Sequence, residues 1–141
     1  MKPERLNAFT DGVLAIVITI MVLELHVPQG DTLAALQPAL PLLAAYILSF
    51  ANIGIFWSNH HHMWNAVKRI DGRVLLANLL LLFFLSIVPF VIRWIGEAGL
   101  TRLPVAAYGL VLVGASLSYV LLQSSLIAIE GADGPVKTAI G

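Results

Sequence analysis

The chain has no cysteine, so disulfides, thiolate metal sites and thiol catalysis are all excluded. It is also poor in charge: 8 Lys and Arg stand against 8 Asp and Glu in 141 residues, and the formal net charge is zero. A balance of that kind offers no electrostatic footprint for nucleic acid, and each charge matters by its position. Neither a nucleophile placed beside a base nor a glycine-rich phosphate loop is present. What remains is apolar, with 59% hydrophobic residues and a mean hydropathy of +0.90. That composition excludes an ordinary soluble domain and points to an integral membrane protein.

The most informative stretch is Arg5 to Leu25, RLNAFTDGVLAIVITIMVLEL. As a helix it rises roughly 30 Å, the thickness of a bilayer's hydrocarbon core. It therefore can span. On a 3.6-residue wheel Phe9, Gly12, Ile16, Thr19, Ile20, Leu23 and Val27 fall together, while Asn7 and Asp11 point the other way. A carboxylate within a span costs on the order of 3 kcal/mol unless it is partnered, so Asp11 needs a neighbour from elsewhere in the chain. The basic start and apolar run imitate a secretory signal, but Asp11 interrupts the run and no small-x-small cleavage site follows, so the helix is expected to be retained.

Three further spans follow, at about 40–67, 74–95 and 104–129, giving an all-α polytopic membrane protein of about four helices in one domain over 1–141. Pro28 and Gly30 break the chain after the first span, and Thr32 is placed to cap what comes next. Pro89 is expected to kink the third span. Gly109, Gly114, Ala115, Ser116 and Ser118 suit part of the fourth to close helix packing. The tail 130–141 is too polar to span. Lys2, Arg5, Lys68, Arg69, Arg73 and Lys137 lie on the side of the termini, against Arg93 and Arg102 opposite, so the termini are expected in the cytoplasm.

Depth supplies candidates for the partner of Asp11. It lies roughly 9 Å inward of Arg5, while His61 and Asn78 lie roughly 10 and 8 Å inward of Lys68 and Arg73. A buried network joining Asp11 to His60, His61 or His62, with Asn78, is the expected arrangement. Three consecutive histidines point about 100° apart and cannot share one metal ion, so no metal site is expected. Proton sensing at this cluster is the functional alternative, because histidine titrates near neutral pH. Trp57, Trp64 and Trp94 read as bundle or interface aromatics.

Arg5, Phe9, Thr10 and Asp11 match an R-x-x-x-F-S/T-D signature. With FWSNHHHMW and NLLLLFFLSIVPF further on, the chain resembles the transmembrane protein 175 family of endosomal and lysosomal potassium channels and their bacterial relatives. That family has no T-V-G-Y-G filter, and none occurs here. The resemblance implies that the first helix lines a pore and that Ile16, Ile20 and Leu23 form stacked hydrophobic constrictions, with Thr19 on the same face. It also implies that the signature Arg and Asp pack and hydrogen-bond beneath the pore. Potassium is the implied conducted species, with no cofactor. A homotetramer in the bilayer, here of a bacterial cell, is the implied assembly, since one helix cannot enclose a pore. Members typically carry six spans per repeat, so the four read here lack the last pair. Two rivals from other classes are a proton-coupled exchanger using Asp11 and the histidines, and a non-conducting structural membrane subunit. An enzyme would need a converging polar constellation, which these residues do not assemble.

Overall fold

A computed structural model of the chain describes residues 1–131 and 134–140. The long helices are α1 (Pro3–Leu23), α3 (Leu40–Trp64), α4 (Gly72–Ala98) and α5 (Arg102–Glu130). Each is long and apolar enough to cross a membrane. Two short elements join them: α2 (Leu33–Leu36) with a 3₁₀ turn at Gln37–Ala39, and α6 (Pro135–Ile140).

Local chemistry sets the boundaries. Pro3 opens α1, where its missing N–H costs nothing. The Thr32 hydroxyl accepts the Ala35 N–H at 3.2 Å and starts α2, so the chain turns into helix eight residues before the span proper. The α3–α4 connection begins after Trp64, earlier than the charged turn suggests, and α4 starts at its cap, Asp71. Both α4 and α5 stop at a glycine with positive φ, Gly99 at 82° and Gly131 at 88°, a backbone state that side chains disfavour. Pro89 sits buried inside α4, which continues on either side of it.

The Asp71 cap carries a pH dependence. Its Oδ1 accepts the Val74 N–H at 3.0 Å, and that bond, with the Arg73 guanidinium adding to it, holds the carboxyl below the usual carboxylate range. A carboxyl depressed on folding stabilises the fold above its unfolded value of about 4, and the contribution is lost as pH falls through the lower folded value. Melting temperature should therefore decline as the pH is lowered below about 4. Asp71→Asn keeps a capping oxygen but cannot titrate, so its thermal melts should depend less on pH in that window.

The core is centred on α4, which packs against α5, α1 and α3. Its buried residues, from Val74 and Leu81 to Leu85, Val88 and Ile92, lie on more than one face because it has neighbours on three sides. Close approach of α5 depends on Gly114, where an added Cβ would run into the Phe84 ring, and on Ala115 and Ser118, both buried. Gly109 and Ser116 do not contribute; nothing lies against the first and the second is exposed. Gly114→Ala is expected to cost about 1–3 kcal/mol, the usual range for overpacking, measured by unfolding in detergent micelles.

The polar tail holds one more element. α6 packs on α3 and α5 through the fully buried Val136, whose N–H is accepted by Glu130 Oε2 at 3.1 Å. From the α3–α4 loop, Arg69 donates to the Ile129 carbonyl at 3.0 Å near the end of α5.

Candidate functional site

Along α1, Leu6, Thr10, Leu14, Val17 and Met21 recur at three- and four-residue spacing and are buried against the bundle. The other side is open. Phe9, Ile16, Ile20 and Leu23 are 52%, 58%, 41% and 79% exposed, and Gly12 and Thr19 lie with them. The branched aliphatic part of this face runs from Ile16 to Leu23 and is broken by one hydroxyl, that of Thr19. The Thr19 hydroxyl donates back to the carbonyls of Ala15 and Ile16 at 3.0 and 2.9 Å. Its proton is thus directed into the helix, and its oxygen lone pairs are left as acceptors on the open face.

On the buried side three side chains form a directed hydrogen-bond chain across three helices. His60 of α3 meets Asn78 Oδ1 of α4 through Nε2 at 2.8 Å, and Asn78 Nδ2 donates to Thr10 Oγ1 at 2.9 Å. Thr10 in turn donates to the Leu6 carbonyl at 2.9 Å. Because the Asn78 oxygen can only accept, Nε2 of His60 carries the ring proton. The His60 ring also stacks on Trp64, with centroids 4.8 Å apart and planes within 9°. All three polar residues are almost fully buried.

Asp11 lies outside this chain, contrary to the expected arrangement. Its Oδ1 accepts the indole N–H of Trp57 at 2.9 Å, not a bond from any histidine or from Asn78. The reason is azimuth. Thr10 and Asp11 share a depth but stand about 100° apart, and Thr10 faces α4 while Asp11 faces the edge of α3. His61 is likewise outside the chain; it is exposed and stacked on Trp57 at 5.7 Å. Arg5 and Phe9 are exposed and belong to no buried polar contact among the described residues.

The tryptophans therefore do more than fill the bundle. Trp64, buried, donates to the Pro3 carbonyl at 2.8 Å, and Trp57 reaches Asp11, so α3 clasps α1 at two levels. The signal for this in the sequence is their seven-residue spacing, which places both indoles on one side of α3. At the far end of α1, Arg93 of α4 lies 3.8 Å from Glu24 and 3.2 Å from Glu97. Among the described residues no group of three or more His, Asp or Glu is placed to hold a metal ion.

Residues 5–89, from the signature arginine through the first two spans and into the third, match the family described as the endosomal/lysosomal potassium channel TMEM175. The chain belongs to the TMEM175 family. A TMEM175 relative named a potassium channel, from Chryseobacterium sp. (strain P1-3), is 50% identical over 140 residues, covering 99% of this chain and 73% of that protein. Another, from Streptomyces collinus, is 37% identical over 123 residues, 82% of this chain and 60% of its own. The human relative, named an endosomal/lysosomal proton channel, is 35% identical over 101 residues, 63% of this chain and 20% of that protein. Among solved structures, the lysosomal potassium-selective channel TMEM175 homolog from Chamaesiphon minutus superposes with a TM-score of 0.78 at 29% identity. That match covers 98% of this chain and 77% of that one. The chain is thus an integral, multi-pass membrane protein of a channel family.

Proposed function

We propose that residues 1–141 act as one channel domain, and that several copies assemble with the open faces of α1 turned inward to form a potassium-selective pore. The observation that carries this reading is the open stripe of α1, uncovered from Phe9 to Leu23 while the opposite side is packed. One helix cannot enclose a path for ions, so the stripe acquires an inside only when copies meet around it. A tetramer is the assembly we favour, by resemblance to the family. The names of the bacterial relatives and of the Chamaesiphon minutus structure support potassium as the ion.

Within such a pore each residue has a physical role. Rings of Ile16, Ile20 and Leu23 narrow the path and exclude bulk water, so an unhydrated or partly hydrated ion meets its barrier there. Thr19 interrupts the rings with an oxygen that can only accept, which suits a cation that has lost part of its shell. At the mouth, two carboxylates against one guanidinium leave each subunit with one net negative charge from Glu24, Arg93 and Glu97, which concentrates cations. Thr10, His60 and Asn78 take no part in conduction; they fix the rotation of α1 about its axis, and Asp11 adds to this through its bond with Trp57 of α3. The excess of positive charge on the side of the termini supports a cytoplasmic orientation for that side, and the bacterial relatives support a bacterial cell membrane.

The test is flux of potassium and of sodium into liposomes holding the purified chain. Rapid, non-saturating potassium flux that exceeds sodium flux supports the reading. Saturable flux coupled to protons, or no flux from a folded oligomer, sinks it. Because the vertebrate relatives are named proton channels, proton flux is measured in the same vesicles.

A further inference from the structure

Although α3 and α5 both pack on α4, they scarcely touch each other, and a groove of about 260 Å³ opens between them at the end away from the termini. α3 gives Ala44, Ala45 and Leu48 to its lining, α4 gives Ile95, and α5 gives Val105 and Tyr108. Two successive alanines leave the gap unfilled from the α3 side. The groove reaches inward about 12 Å along α3, from Leu40 to Leu48, and about 9 Å along α5, from Arg102 to Tyr108. There a hydrogen bond closes it. Ser49 Oγ donates to the Ala45 carbonyl at 2.7 Å, so the Tyr108 hydroxyl, 2.8 Å away, is the donor to Ser49.

The lining suits hydrocarbon and not water. Its one polar side chain, Tyr108, has spent its proton on Ser49, whereas an ordered water needs about two to four polar partners. At about 30 Å³ apiece, the groove takes about eight or nine groups of methylene size. Arg102, the first residue of α5, stands at the mouth one turn before Val105, a spacing that makes the two neighbours on the helix surface. It is exposed, and among the described residues no carboxylate lies within ion-pair reach of it. Arg93, at the same end of the bundle, is by contrast held between Glu24 and Glu97.

From this we infer that the α3–α5 groove is a site for one anionic phospholipid per subunit, with an acyl chain between the helices and the phosphate on Arg102. An apolar slot below an unpaired guanidinium fits an amphiphile, and the leaflet on that side of the bilayer is made of amphiphiles. A second copy of the chain, or another helix, would fill the slot and leave the guanidinium without an anion. Lipid tails are as apolar as the side chains that line the groove, so the groove supplies shape while the charge supplies preference. A lipid of net negative charge, such as phosphatidylglycerol, should therefore be held over zwitterionic phosphatidylcholine. The site lies away from the open face of α1 and does not rest on the channel reading.

The experiment is native mass spectrometry of the full chain, released from micelles doped with phosphatidylglycerol or with phosphatidylcholine of the same acyl chains. The wild type should keep one phosphatidylglycerol per subunit under activation that strips phosphatidylcholine. Arg102→Gln should cut that preference about fivefold, the factor for one basic residue near a charged lipid surface, and Arg102→Lys should retain most of it. Arg102 is exposed, so neither change threatens the fold. Ala44→Phe, at an exposed position in the lining, should abolish retention of both lipids. Leu117→Phe puts an aromatic ring on α5 outside the groove, where the side chain is 65% exposed, and should leave retention unchanged. Equal retention of the two lipids by the wild type overturns the proposal, as does a preference that survives Arg102→Gln. So does an Ala44→Phe protein that keeps its lipid, or one whose subunit number changes while retention does not, which would assign the groove to a second copy.

Discussion

Ile16→Asn should raise cation flux through the reconstituted chain by about tenfold or more, the factor that accompanies each 1.4 kcal/mol taken from a barrier. Ile16 is 58% exposed in the subunit, so an amide there disturbs no core and the fold should survive. What changes is the ring. A branched aliphatic ring holds water away from the axis, and an ion crossing it loses hydration with nothing to replace it. Asparagine offers a carbonyl oxygen and an amide at the same place, which wets the constriction and lowers that cost. Potassium loses its water more easily than sodium, so a wetted ring should also shrink the preference between them. Ile20→Asn, one turn on, should act in the same direction. If both variants match the wild type in potassium and sodium flux, the open face of α1 does not line the path. A decrease in flux with a normal melting temperature would mean that the face packs against another subunit.

The four spans were legible in the sequence because a bilayer demands long apolar runs, and the composition leaves no other fold that could use them. The two faces of α1 were legible for the same reason as any amphipathic helix. The polar network was legible in depth and not in azimuth. Counting residues from the charged ends places Asp11, His61 and Asn78 at one level, but it does not say which side of each helix meets which neighbour. Electrostatic cost draws attention to the carboxylate, whereas the buried position went to Thr10, a side chain that can close its own hydrogen bond onto Leu6 and still accept from Asn78. Asp11 was left at the seam's edge, where the Trp57 indole reaches it. A period-based reading passes over α6 altogether, since one buried valine in a glycine-rich stretch repeats nothing.

Asn78→Leu is the substitution expected to cost most in stability, about 2–4 kcal/mol. An ordinary hydrogen bond between membrane helices contributes on average only about 0.6 kcal/mol, so two lost bonds would be a small effect on that count. Most of the loss comes from the groups left behind. Without Asn78 the Nε2–H of His60 is a buried donor with no acceptor, and Thr10 loses the donor that its oxygen receives. Each orphaned group costs about 1–3 kcal/mol where water cannot reach it. Asn78 is fully buried on α4, the helix against which the other three spans pack, so the protein has little freedom to open a wet path to it. Thr10→Val should cost less, because it orphans one buried group, the Asn78 Nδ2–H, where Asn78→Leu orphans two. The pair Asn78→Leu with Thr10→Val should then be less destabilised than the sum of the two, a coupling read from unfolding in mixed micelles. Simple additivity would mean that the chain is not one cooperative unit. Potassium flux through Thr10→Val separates the two duties of the network: if the chain sets the rotation of α1, ion preference should change even under conditions where the variant remains fully folded.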